Sequence, residues 1–219
     1  MKIYLDIETI PLPVAAREFL RPAEADVKTG NLKDPAKIAA KVAEVVQAWE
    51  RGEEAALDSL QARIAVIGYA PDDGPVQQLV LDDETELLRE FWAGVRTQPR
   101  SAGLEIIGHN IRFDATMLVH RSWLRGVAVP YLPLTDLFNY APEIWRDTML
   151  HWQLGDRRAD FRSLRHLCAA FGIAVKTGEI TGANFAEWWG RDREACLEYN
   201  RQDVEAVRTL WRRLAGAGL

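Results

Sequence analysis

Asp6 and Glu8 stand two residues apart in the apolar run Ile3-Tyr4-Leu5-Asp6-Ile7-Glu8-Thr9. Side chains alternate along a strand, so a strand over 2–8 sends both carboxylates to one face. Two like charges side by side are costly unless something positive sits between them. Two more acidic positions have suggestive neighbours. Asp114 follows "HNIRF", just past a predicted strand and turn, at the start of a predicted helix. Tyr199 and Asp203 sit four apart in "EYNRQDVEAV", on one helix face. Mg²⁺ and Mn²⁺ take hard oxygen ligands, so carboxylates serve them where thiolates do not. The chemistry these residues suit is that of a bound divalent ion, which activates water and stabilises developing negative charge.

The elements that must position them follow from pattern and punctuation. Residues 2–8 read as a central strand and "RIAVIGYA", 63–70, as a second. "PVQQLVL", 75–81, follows the turn residues of "PDDG" and reads as the return strand of a hairpin. "DETELLREFWAGV" is helical, with Leu87, Leu88, Phe91, Trp92 and Val95 on one face and acidic residues in the first turn. "LEIIGHN", 104–110, is a strand, 113–125 a helix, and "RDTML", 146–150, a short strand. Residues 161–172 form a helix closed by Gly172. A final helix runs from the N-cap Asp192 to about Leu214. Strands in a meander, then strands alternating with helices, predict an α/β fold with a mixed sheet flanked by helices.

The chain has 219 residues, 48% of them hydrophobic, enough for one substantial core, so a single domain over 1–219 is expected, with an insertion at about 30–60. In that insertion Pro35 marks a helix start, and Ile38, Val42, Val45, Val46 and Trp49 form a helical stripe. Its first half carries Lys28, Lys33, Lys37 and Lys41, the last three spaced to line one helix face. A solvated face explains them; a basic arm tracking a phosphate backbone is the sharper alternative. The net charge of -5 argues against a protein that coats nucleic acid nonspecifically, but not against a local basic patch. Cys168 and Cys196 lack metal-ligand spacing, Asp6 and Glu8 break any signal-peptide core, and no stretch approaches a membrane span. An intracellular, cytoplasmic protein is expected.

Asp6-x-Glu8, Asn110-x-x-Phe113-Asp114 and Tyr199-x-x-x-Asp203, in this order, resemble the three motifs of the DEDD superfamily of 3′-5′ exonucleases. Tyr199 resembles the tyrosine (DEDDy) branch; the other branch carries a histidine five residues before the last aspartate, where this chain has Glu198. The "DIETIP" start, the "DTM" at 147–149 and the length look most like predicted exonucleases related to the proofreading domain of family-B DNA polymerases. The resemblance spans nearly the whole chain. It implies a ribonuclease H-like fold and a two-metal site with Mg²⁺ or Mn²⁺. Asp6 would bridge both ions, Glu8 and Asp203 would complete the water-binding site, and Asp114 would hold the second metal. Tyr199 would orient the attacking water. The substrate would be the 3′ end of single-stranded DNA, cut to nucleoside 5′-monophosphates. An exoribonuclease is the first alternative, because ribonuclease D-like proteins share the tyrosine motif; a noncatalytic module binding nucleic acid or a polymerase is the second. No polymerase or helicase region accompanies these motifs, so a chain acting alone or with an unknown replication or repair partner is expected.

Taken singly, each residue has a plainer explanation. Asp114 stabilises a helix N-terminus, Asn110 serves its turn or touches substrate, and Phe113 packs or stacks on a base. Thr9 meets the terminal nucleotide through its backbone or does nothing. His109 reads as structural, as do His120, His151 and His166. Trp188 and Trp189 read as packing, and the spare carboxylates Asp136 and Asp147 receive no catalytic role. "KTGEITG", with Lys176, is a loop that could lie beside a substrate strand but is too short to cradle phosphate.

Overall fold

The computed structural model describes residues 1–96, 103–130, 144–156, 158–174 and 178–216. Asp136 and Lys176 lie outside the described residues. The chain divides into two compact units, one of Met1–Glu8 with Ile64–Leu219 and one of Thr9–Arg63.

The first unit is built on a five-stranded sheet of order β3-β2-β1-β4-β5. Its strands are β1 (Lys2–Pro11), β2 (Ala62–Pro71), β3 (Gln77–Leu79), β4 (Glu105–Gly108) and β5 (Trp145–Asp147). β2 and β3 are antiparallel, with Ile67 opposite Leu79. β1 and β4 are parallel, with Ile3 opposite Ile106, and β4 and β5 are parallel, with Ile106 opposite Trp145. The sheet is therefore mixed, as the order of strands and helices in the sequence predicts.

Helices cover it. α2 (Glu84–Arg96) and α3 (Ile111–Leu124) pack together, and the indole Nε1 of Trp92 donates to Ser122 Oγ at 2.8 Å. Glu84, buried in the first turn of α2, does more than favour a helix N-terminus. Its carboxylate accepts from the Ile64 N–H on β2 and from the Arg121 guanidinium on α3. Burial works against its charge, yet these partners hold its pKa below the usual carboxylate range. On the other side, α7 (Arg193–Leu214) lays Val204, Val207 and Trp211 against Tyr4, Ala70 and Ile107. Asp192 caps α7, accepting from Ala195 N–H. α5 (Leu164–Ala170) packs on α7 through Leu167, Cys168 and Leu210. The stretch 146–150 is only half strand: Asp147 ends β5 and caps the short α4 (Thr148–Trp152), so the chain turns helical at once. α6 (Phe185–Arg191) precedes α7.

The second unit holds two 3₁₀ segments, Val14–Leu20 and Glu24–Asp26, then α1 (Pro35–Arg51) and a 3₁₀ turn at Ala55–Leu57. Asp34 caps α1 by accepting from Ala36 N–H, Pro35 occupies its first turn, and Gly52 ends it with φ 77°. Lys33 therefore precedes the helix, and only Lys37 and Lys41 ride on it; Lys41 pairs with Glu44 at 3.0 Å. The three-lysine face expected from the spacing does not form. Arg17, buried at 2% exposure, donates to the Trp49 and Glu50 carbonyls at the end of α1 and lies 4.6 Å over the Trp49 ring. A guanidinium suits a helix C-terminus because the last carbonyls lack helical partners.

Candidate active site

Strand alternation puts Tyr4, Asp6 and Glu8 on the face of β1 that α7 covers. Tyr4 packs on Val204 and Val207. Further along the same face, hydrophobic packing gives way to acid: one carboxylate oxygen from each of Asp6, Glu8 and Asp203 lies within 4.8 Å of the others. All three residues are half-buried. Three hard oxygen donors at this spacing could hold a divalent cation, which would offset their mutual repulsion.

Asp114 stands apart from that trio. It is 5% exposed in the first turn of α3, and its Oδ1 accepts from the Ile7 N–H at 3.0 Å, between Asp6 and Glu8 in the chain. Burial pushes its pKa up to about 8; the Ile7 bond opposes this, and the charges of Asp147 and Asp203 add to the rise. Tyr199 sits one turn before Asp203. Burial, followed by the charges of Asp203, Glu8 and Asp6, raises its phenol well above the ordinary 10. It therefore keeps its proton at neutral pH and can donate a hydrogen bond but not act as a base. A cavity of about 880 Å³ opens beside Tyr199 and Asp203, with Leu164, Ile180, Trp188 and Gln202 in its walls.

Thr9 falls in the second unit, where its hydroxyl donates to the Ala56 carbonyl at 2.6 Å. Asn110 caps α3 with φ 55° and no side-chain capping bond; its backbone N–H donates to Asp147 Oδ1. Phe113 is half-buried in the same turn. His109 has Nδ1 2.8 Å from Thr148 Oγ1 and Nε2 2.8 Å from the Arg162 carbonyl, and so ties the end of β4 to two later segments.

Sequence reasoning passed over Asn200. This side chain is fully buried between Tyr199 and Asp203 in the chain, and its Nδ2 donates to Asp6 Oδ2 at 2.8 Å and to the Asp6 carbonyl at 3.2 Å. Its Oδ1 accepts from Gln78 Nε2 at 2.9 Å. Asn200 thus fixes the Asp6 carboxylate to α7, the helix that carries Asp203. Gly68 of β2 makes room for it: a Cβ there would lie 2.2 Å from Asn200 Oδ1 and 2.9 Å from Val204 Cγ2. The available signal was position, since Asn200 falls three residues before Asp203 on the inward side of α7. Gly68→Ala is expected to destabilise by about 1–3 kcal/mol through overpacking. It should also weaken Mn²⁺ binding by displacing Asn200 from Asp6. Thermal melts with and without Mn²⁺ read both effects, and a wild-type melt together with wild-type metal response would contradict this account of Gly68.

No protein-family model matches the chain, and a search of curated proteins finds no match. Among the described residues, no helix is long and apolar enough to cross a membrane.

Proposed function

We propose that the chain is a metal-dependent 3′-5′ exonuclease of ribonuclease H-like fold, acting on the 3′ ends of single-stranded DNA. The observation that carries this reading is the meeting of Asp6, Glu8 and Asp203 from β1 and α7, with Tyr199 one turn from Asp203. The mixed sheet with β1 at its centre is compatible with that fold. The resemblance of the three motifs supplies the reaction and its direction.

The donor set fits Mg²⁺ or Mn²⁺ because every candidate ligand is a carboxylate. Asp6, Glu8 and Asp203 would hold the ion nearest the attacking water, and Asp114 would serve the second. Bound there, such ions supply an activated water and charge stabilisation at the leaving oxygen. The chain's own groups do the rest. Asn200 holds the Asp6 carboxylate in place. The protonated Tyr199 orients the attacking water by donating to it or to the scissile phosphate. Trp188 and Gln202 wall the adjoining cavity of about 880 Å³, which would take the unpaired strand end.

A gel assay tests the reaction: 5′-labelled single-stranded DNA and matched RNA, with Mg²⁺, Mn²⁺ or EDTA, wild type beside Asp6→Ala. A metal-dependent ladder shortening from the 3′ end, absent in the variant, is the expected result. Stronger cutting of RNA would make the protein an exoribonuclease. Intact substrate in every wild-type lane would leave a noncatalytic binding module.

A further inference from the structure

A second cavity, of about 260 Å³, lies at the C-terminal end of β5, against the N-terminus of α3. It is smaller than the roughly 300–1,000 Å³ typical of sites for drug-sized ligands, so it suits one ring system. Its walls are mostly apolar: Ile111, Trp145, Met149 and Leu150, with the Phe161 ring at the mouth. Phe161 is 60% exposed, an unusual setting for a ring, and touches His109 only by an edge contact at 6.3 Å between centroids. Asn110, Arg112, Asp147 and Gln153 are the polar residues of the lining, and Asp147 is its carboxylate. Three backbone N–H groups, from Asn110, Met149 and Leu150, converge on its Oδ1. Among the described residues Oδ2 is thus the oxygen left for a ligand. The cavity belongs to the same end of the sheet as the acidic site, because Asp114 lies one turn of α3 past Asn110.

We infer that this cavity is a nucleobase subsite that takes one base of the substrate strand, stacks it on Phe161 and reads its amino group through Asp147. The inference rests on the nuclease reading for its ligand. A carboxylate accepts from the 4-amino group of cytosine, as acidic side chains do in base recognition. It repels the 4-carbonyl that uracil presents at the same position. The subsite therefore favours cytosine over uracil, whereas the acidic site itself has no reason to prefer either. Arg112 neutralises the phosphate that accompanies the bound base.

The test is binding of labelled oligo(dC) and oligo(dU), followed by fluorescence anisotropy in EDTA at one fixed salt concentration. These two differ in the base edge and not in the backbone. Wild type should bind oligo(dC) about tenfold more tightly. Phe161→Ala should lose about tenfold in affinity for oligo(dC), the usual scale for one stacked base. Its melting temperature should stay at the wild-type value, because the ring is exposed. Asp147→Asn keeps a residue that caps helices well, and should equalise the two oligonucleotides. Equal wild-type affinities, or no loss in Phe161→Ala, would overturn the subsite. If the metal-dependent ladder persists in that case, the nuclease reading stands and only the subsite falls. If wild type binds neither oligonucleotide and cuts no substrate, both fall.

Discussion

Asp203→Asn is expected to reduce metal-dependent exonuclease activity by a factor on the order of 10³ while leaving the fold intact. The substitution keeps the size of the side chain and removes its charge. Metal-ion assistance contributes several kcal/mol to a hydrolytic barrier, and each 1.36 kcal/mol is a factor of ten in rate. The folded state should not suffer. Asp203 brings a carboxylate oxygen within 4.8 Å of those of Asp6 and Glu8, so its neutral replacement relieves repulsion in the metal-free protein. In EDTA the variant should therefore melt at or above the wild-type temperature. In Mn²⁺ the order should reverse. A ligand bound only by the native state stabilises it by about 2.7 kcal/mol at a hundred times its dissociation constant. Wild type gains that and the variant gains little. Turnover above a few per cent of wild type, or an undiminished Mn²⁺ shift, would remove Asp203 from the site.

The sequence made the elements more legible than their meetings. β1 announced two carboxylates on one face because alternation is a local property of a strand. α7 announced both its start, at Asp192, and the pairing of Tyr199 with Asp203 by helical spacing. Local reading failed where one residue changed the register of an element. Asp34 and Pro35 begin α1, which leaves Lys33 outside it. Asp147 accepts from Met149 and Leu150 N–H groups and so converts the predicted strand at 146–150 into a strand end and a helix. Contacts between distant elements carried no local signal at all. Asn200 reaches Asp6 only because Gly68, 132 positions away in the numbering, lacks a side chain where α7 crosses β2. Asp114 resembled a helix-end charge by sequence. Its bond to the Ile7 N–H depends on the parallel pairing of β1 with β4, which brings the start of α3 beside β1.

That placement of Asp114 leads to the second large effect, on stability against pH. A carboxyl moved by burial from 3.8 to about 8 is neutral in the folded protein at pH 7 and ionised in the unfolded one. The folded state then binds more protons than the unfolded state between these two values, so stability falls as pH rises through that interval. One pKa unit is about 1.4 kcal/mol, so stability falls by up to about that much per pH unit across the interval and levels off above pH 8. Asparagine at 114 mimics the neutral form and has no proton to lose. In EDTA, Asp114→Asn and wild type should melt alike near pH 3, below the unfolded pKa, and the variant should be clearly the more stable above pH 8. Mn²⁺ should close that gap from the other side, because a bound cation stabilises the ionised carboxylate and favours the wild type as pH rises. Denaturant titrations at several pH values, with EDTA and with Mn²⁺, measure both slopes. Parallel curves for the two proteins in EDTA would mean that Asp114 is already ionised at neutral pH without metal. The Ile7 N–H bond would then be enough to hold that charge in the first turn of α3.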